Sequence, residues 1–195
     1  MWARSAGERG YHDGVVQLRD RGFDMHTVVA YGSAHGATEG IAQRIADGLR
    51  NGGDSVELWP LQSDRSPDRA DRLVIGSAIH NGQWLPEAEQ VAESVAKDSG
   101  SPVWAFSVSS VGATSTFLSP RIARFLRPRT PLPRAVAAIE ASGALRSHRA
   151  FAGAIARGDW PGFGRILFRL MGGKYGDARD WDDVDRWARE ILDAG

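Results

Sequence analysis

Between the apolar run TVVAY and the helical pattern IAQRIADGL the chain reads Gly32-Ser33-Ala34-His35-Gly36-Ala37-Thr38-Glu39. Two glycines, two hydroxyls and an imidazole at a strand-to-helix turn make a donor set for an anion, and phosphate is the anion they suit best. Gly32 and Gly36 open backbone conformations closed to other residues. Amides in the first helical turn point outward, and the helix dipole favours negative charge there. Ser33 and Thr38 add hydroxyl donors, and His35 adds a ring N–H. The loop does not end in the Gly-Lys-Ser/Thr of a Walker A sequence, and the spacing is not GxGxxG. Without a lysine, a phosphate is held by neutral donors alone. That suits a permanently bound cofactor better than a nucleoside triphosphate with magnesium. The competing reading is an ordinary strand-to-helix turn.

The elements that position this loop follow from periodicity. Residues 27–31 read as a first strand. Residues 38–50 read as a helix with Ile41, Ile45 and Leu49 on one face, stopped by Asn51-Gly52-Gly53. Strands two, three and four are predicted over 56–61, 73–77 and 103–108, with a helix over 86–97 that has proline in its first turn. Helices are predicted over 120–126 and 134–145, separated by RPRTPLP, and strand five over 151–155. Asp180 can cap a last helix that turns Trp181, Val184, Trp187, Ala188 and Ile191 inward. Strands alternating with helices predict an α/β fold, a parallel sheet covered on both faces. Five strands with an anion loop after the first fit the flavodoxin-like, doubly wound order 2-1-3-4-5, which puts that loop at the ligand-binding switch point. Residues 1–25 show no periodicity and read as an N-terminal extension, or as sequence upstream of a true start at Met25. Residues 26–195 read as one domain.

Composition sets the outer limits. The 195 residues are 42% hydrophobic and 25% charged, ordinary for a soluble globular chain. With no cysteine, disulfides, thiolate metal sites and cysteine nucleophiles are excluded, and no metal site is expected. No apolar run is long enough to span a bilayer and no secretory signal opens the chain, so a cytoplasmic location is expected. The net charge of zero is unevenly spread. Residues 119–175 hold eleven basic and two acidic side chains, while residues 176–195 hold three basic and seven acidic. Such a basic segment suits an anionic partner or a solvated set of helix arginines.

The run Ser33-Ala34-His35-Gly36-Ala37-Thr38-Glu39 resembles the flavodoxin phosphate loop, Thr/Ser-x-Thr-Gly-x-Thr-Glu. His35 stands where a hydroxyl residue is usual, and Ala37 where asparagine is common. The resemblance implies FMN as cofactor, with its 5′-phosphate on Ser33, Ala34, His35, Gly36, Ala37 and Thr38. It also implies two loops at the isoalloxazine ring. After strand three, Ser77, Ala78, Ile79, His80, Asn81 and Gly82 would meet the ring edge, and Trp84 would stack on the ring or shield it. After strand four come Ser109, Ser110, Val111 and Gly112, where a flavodoxin often has an aromatic, so one ring face is left open to a second molecule.

The segment from Phe151 to the end is similar to the end of the menaquinone-dependent protoporphyrinogen IX dehydrogenase family, a flavodoxin-fold group. The matches are Ala152-Gly153-Ala154-Ile155, Trp160, residues 163–171, Gly172-Gly173 and Asp180-Trp181. GSAIHNG, residues 76–82, resembles that family's strand-three loop, and the likeness runs over about 26–195. Residues 113–149 are longer than the family leads one to expect. Pro161 and Gly172-Gly173 bound an apolar helix with Phe163, Ile166, Leu167 and Leu170 on one face and Arg165 and Arg169 beside it. Trp160, Arg165 and Arg169 therefore read as substrate or membrane contacts, through a peripheral helix over 160–171 on the inner face of the cell membrane or, equally, a helix packed on its own sheet.

The resemblance implies an FMN-dependent oxidoreductase that passes electrons from an anionic tetrapyrrole-type substrate to menaquinone, or to another quinone or acceptor. Arg121, Arg124, Arg157 and Arg165 would pair with substrate propionates. No residue triad supports an acid or base, so none is named. The alternative is a flavodoxin-type electron carrier with no substrate of its own. Such carriers are usually strongly acidic, which this chain is not. A non-enzymatic module ranks lower, and no nucleic-acid partner is expected, since the basic stretch carries no recognition motif or stacking platform.

Overall fold

The structure, a computed structural model, describes residues 25–63, 69–98, 100–156, 170, 172–173 and 175–194. The expected extension at 1–24, and Arg157, Trp160, Arg165 and Arg169 of the expected 160–171 helix, lie outside the described residues. The five long strands are β1 (His26–Gly32), β2 (Ser55–Pro60), β3 (Arg72–His80), β5 (Val103–Ser109) and β6 (Leu145–Ala152). They form one parallel sheet in the order β2-β1-β3-β5-β6, and the two-residue β4 (Gln83–Trp84) pairs antiparallel with β3. This is the order expected from the alternation of elements.

Side chains alternate across each strand, so one strand feeds two cores. From β1, Val29 and Tyr31 join a cluster with Ile41, Ile45 and Leu49 of helix α1 (Ala37–Asn51) and Val184, Trp187 and Ile191 of helix α5 (Trp181–Asp193). Val28 and Ala30 face the other way, toward Ala88 and Ala92 of α2 (Pro86–Lys97) and Val136 and Ile139 of α4 (Arg134–Ala141). In the first cluster Phe106, Phe151 and Trp187 meet edge to face, their ring centroids 5.7–6.3 Å apart. Asp180 caps α5 as expected, its Oδ1 accepting from the Asp183 amide at 3.1 Å.

Strand five differs from the expectation. It spans Leu145–Ala152 instead of 151–155, and the helix before it ends at Ala141. Gly143, at φ +79, terminates the helix in the left-handed region. The strand is hard to read because Arg146, Ser147, His148 and Arg149 interrupt its apolar pattern. The fold satisfies three of these polar groups individually. Ser147 Oγ accepts from Trp187 Nε1 at 3.1 Å, Arg149 pairs with the buried Asp183, and His148 meets Ser107. After β6, β7 (Ala154–Ile155) pairs antiparallel with β8 (Gly176–Asp177), which brings these two stretches together at the carboxyl end of the sheet.

That same end carries a third, smaller apolar cluster. Phe117 and Leu118 pack there with Ile122 and Leu126 of helix α3 (Pro120–Leu126) and with Ile155, Tyr175 and Ala178.

Candidate functional site

Three loops leave the carboxyl ends of adjacent strands. The first joins β1 to α1. Gly36 stands at the helix N-cap with φ 80, and Ser33 Oγ accepts from its amide at 3.0 Å. No side chain caps the helix, so the first-turn amides are left without a capping acceptor. A Cβ placed on Gly36 would meet nothing within 4 Å. The loop is therefore open at Gly36, with an uncapped helix N-terminus and the Ser33 hydroxyl beside it. Thr38 is buried at 1% exposure in the first turn, while Ala34, His35 and Gly36 are exposed. Glu39 lies beside Tyr31, whose phenol is pushed above its ordinary value first by burial and then by that carboxylate.

The second loop is shorter than the 77–82 stretch expected to follow strand three, because β3 runs on to His80. Ile79 pairs with Trp84 and His80 with Gln83, making a tight hairpin that turns at Asn81 (φ 51) and Gly82 (φ 80). His80, Asn81 and Gly82 are exposed at this turn, and Ala78 and Ile79 are half-buried behind it. Ser77 has moved inside. Its backbone pairs with Gly32 and Ser107, and its Oγ accepts from Leu85 N at 3.0 Å and donates to Ala78 O at 2.9 Å.

Trp84 is also a correction. It is 2% exposed in the core of the α2/α4 side, and its Nε1 donates to Ser107 Oγ at 2.8 Å. In this position it neither stacks on nor shields a ligand at the loops. An indole has a single polar handle, and a buried partner for that handle draws the whole ring inward.

Ser107 Oγ lies 2.9 Å from His148 Nε2. Having accepted from Trp84, the hydroxyl directs its proton to His148, which suits a neutral imidazole. Burial lowers the His148 pKa from its ordinary value. An unfolded His148 therefore takes a proton at a pH where the native one does not, and stability falls as pH drops from about 6.5 toward the lowered native value. Urea unfolding at pH of about 7.5 and about 5.5 is expected to show a smaller acid loss for His148→Gln than for the parent chain. Identical acid losses would mean that this histidine is not linked to folding.

The third loop follows β5 and folds back on itself. Val111 bridges to Thr116, Ser110 O accepts from Phe117 N and Thr116 Oγ1, and Ser109 Oγ bonds both the amide and the carbonyl of Val111. Ser109, Ser110 and Val111 are half-buried, and no aromatic stands among them. Gly112 is buried and serves as a close approach instead of a ligand contact. A Cβ there would run into the backbone of Ala152 and Phe151. The adjacent Ala113 amide donates to Ala150 O at 2.8 Å, which pins the loop to β6.

Four residues of this region were given no place at the site by the sequence reading. Gly153 sits where a Cβ would lie 3.4 Å from that of Ala37, closing the end of β6 on the start of α1. Ser107 holds Trp84. Arg127 Nε donates to Gly112 O at 2.8 Å, and Gln83 Oε1 accepts from the Arg134 amide at 2.9 Å. These last two bonds tie the arginine-rich 127–134 segment across the second and third loops. Partners 15 and 51 residues apart leave no local signal in the sequence. Among the described residues no group of acids and histidines is placed to hold a metal ion.

A family model of the flavodoxin domain matches residues 28–158. No curated protein matches the sequence. Among solved structures, a short-chain flavodoxin associated with a non-canonical PDU bacterial microcompartment superposes with a TM-score of 0.56 at 12% identity, covering 87% of this chain and 98% of that one. A variant of the flavo di-iron protein from Thermotoga maritima superposes at 0.54 and 12% identity, covering 86% of this chain and 36% of that one. Rubredoxin oxygen:oxidoreductase from Desulfovibrio gigas gives 0.48 at 15% identity, over 87% of this chain and 35% of that one. This chain thus spans about a third of the length of the latter two, and at these identities the likeness is one of fold.

Proposed function

The chain belongs to the flavodoxin domain family, and on that premise we propose that it is an FMN-dependent oxidoreductase that takes electrons from an anionic, tetrapyrrole-type substrate and passes them to a quinone such as menaquinone. FMN is the cofactor that family membership implies, and the residues present fit it. The open turn at Gly36 has an uncapped helix N-terminus and the Ser33 hydroxyl beside it, neutral donors of the kind a phosphomonoester requires. The exposed Asn81-Gly82 turn and the 109–111 backbone are the groups available to a flavin ring. Bound FMN supplies hydride and single-electron chemistry. The chain's own residues hold the phosphate, leave the ring approachable and present positive charge beside it.

The observation that carries the enzyme reading is that, among the described residues, no aromatic stands in the second and third loops where a ring would lie. Trp84 is anchored in the core by Ser107, and the third loop offers only Ser109, Ser110 and Val111. A one-electron carrier gains from a sealed ring, whereas a dehydrogenase must let a second molecule reach it. The 127–134 segment tied between the two ring loops adds Arg127 and Arg134, which are suited to carboxylates of that molecule.

The test is an anaerobic assay of the FMN-loaded chain with protoporphyrinogen IX as donor and menadione as acceptor, followed by porphyrin fluorescence. Fluorescence growing above the cofactor-free control supports the proposal. A flat trace with FMN fully bound removes this substrate and leaves the electron-carrier alternative. The phosphate site has its own check. Ser33→Ala with Thr38→Ala is expected to raise the FMN dissociation constant roughly 100-fold, since two hydrogen bonds to a charged group are lost. An unchanged constant in a flavin-fluorescence titration would place the phosphate elsewhere.

A further inference from the structure

Helix α3 packs on the third cluster, at the carboxyl end of the sheet where the candidate cofactor loops lie. Its inward side carries Ile122, Ala123 and Leu126. Its outward side is unusual. Arg121, Arg124 and Phe125 fall there together at helical spacing, and the Arg129 guanidinium lies 4.0 Å over the Phe125 ring. Phe125 is 58% exposed and Leu132, a few residues on, 43%. The third large apolar side chain exposed among the described residues is Leu170, two residues before Gly172, and Gly172 abuts Ser119 at the N-cap of α3. The exposed large apolar groups are thus gathered around one short helix.

The charge of this stretch of chain is predominantly positive. Residues 119–149 hold seven arginines and a single acid, Glu140. Arg121, Arg124 and Arg134 are exposed and make no ion pair among the described residues. Of the C-terminal acids, Asp177 on β8 lines the cleft beside Ser119 and Pro120 but is paired with Arg179, and on α5 Asp185 pairs with Arg44 while Asp183 pairs with Arg149 and Arg186. A solvated helix face does not need exposed phenylalanine and leucine, and an apolar core contact does not need unpaired guanidinium groups. An anionic lipid surface uses both. Guanidinium groups meet headgroup phosphates, and the aromatic and aliphatic side chains enter the acyl boundary.

We propose that the outward face of α3 and the 3₁₀ turn after it, through Arg121, Arg124, Phe125, Arg129 and Leu132, docks the protein on an anionic membrane surface. The proposed contact is made by residues 121–132 and stands on this juxtaposition alone, whatever donor or acceptor the flavin serves. Docking by this face turns the end of the sheet that carries the three loops toward the bilayer. A lipid-soluble reactant would then reach the uncovered ring region without crossing bulk water.

Co-sedimentation of the full chain with phosphatidylcholine vesicles, with and without about a third phosphatidylglycerol, tests this. Binding to the anionic vesicles alone is expected, with loss at high ionic strength. Arg121→Glu with Arg124→Glu is expected to lower the partition coefficient at least about tenfold, because each arginine near a charged surface contributes separately. Phe125→Ser with Leu132→Ser is expected to lower it at low salt while leaving the salt dependence in place. All four positions are exposed, and thermal melts confirm that the variants remain folded. Failure of the parent chain to bind anionic vesicles overturns the proposal. So does loss of binding in Arg165→Glu with Arg169→Glu but not in the α3 variants. Binding to poly-glutamate without binding to vesicles also overturns it and makes this face a dock for an acidic protein.

Discussion

Asp54→Ala is expected to destabilise the protein by about 3–5 kcal/mol, the largest effect of any single substitution considered for it. Asp54 and Arg72 are 4% and 1% exposed at their side chains, and Oδ2 of the acid accepts from Arg72 Nη1 at 2.9 Å and from Thr27 Oγ1 at 2.7 Å. The guanidinium also lies 5.4 Å from the Trp104 ring centroid. Thr27, Asp54 and Arg72 sit where β1, β2 and β3 begin, so this cluster clasps three neighbouring strands at the end of the sheet opposite the loops. Removing the acid strands a buried cation whose Nε already has no partner. Removing both charges, as in Asp54→Leu with Arg72→Met, is expected to cost much less, because desolvation of the two ions offsets most of their attraction. Urea unfolding of the two variants decides the matter. A loss below about 1 kcal/mol for Asp54→Ala would mean that the pair is effectively solvated. FMN affinity measured well below the melting temperature should not change, since the clasp is at the far end of the strands.

Gly112→Ala should damage stability and cofactor binding together. The added Cβ would lie 2.8 Å from Phe151 C and closer still to the Ala152 amide nitrogen. Those are backbone atoms and cannot rotate aside as a side chain can. The third loop must lift from β6, losing the Ala113–Ala150 bond and the Arg127 contact to the Gly112 carbonyl. A stability loss of about 2–3 kcal/mol is expected, the upper end for overpacking. FMN binding should weaken roughly tenfold as the 109–111 backbone is displaced. Gly82→Ala is the contrast. Gly82 has φ +80 but nothing within 4 Å of its added Cβ, so only the strain of the left-handed region applies, about 1–2 kcal/mol. Thermal melts and flavin titrations on the pair separate collision from strain. A Gly112→Ala variant that melts and binds FMN like the parent would show that the loop does not depend on this approach.

Both predictions turn on contacts across the fold, and here sequence and structure divide. Periodicity and stop signals are local properties. The spacing of Ile41, Ile45 and Leu49, the glycines after Asn51, and the Asp180 cap each determine an element without reference to the rest of the chain. Once strands and helices alternate, the handedness of their crossovers leaves few sheet orders, so the order of the five strands was legible as well. The first loop was legible for the same reason, because Gly36, Ser33 and the start of α1 form one contiguous piece of chain.

What the sequence could not determine was the destination of side chains whose partners are far along the chain. Trp84 read as a ring-side aromatic because its neighbours are loop residues, but it went inward because Ser107 on β5 accepts from its N–H, with His148 on β6 in turn bonding the Ser107 hydroxyl. Strand five was misplaced because its arginines, serine and histidine look like surface residues until Asp183, Trp187 and Ser107 meet them. The arginines of 119–149 were visible as charge, and only the fold gathered them with Phe125 and Leu132 and tied them beside the loops. Local sequence determined the elements because backbone geometry repeats every few residues. Burial and hydrogen-bond satisfaction depend on the register of strands tens of residues apart, so only the tertiary structure decided them.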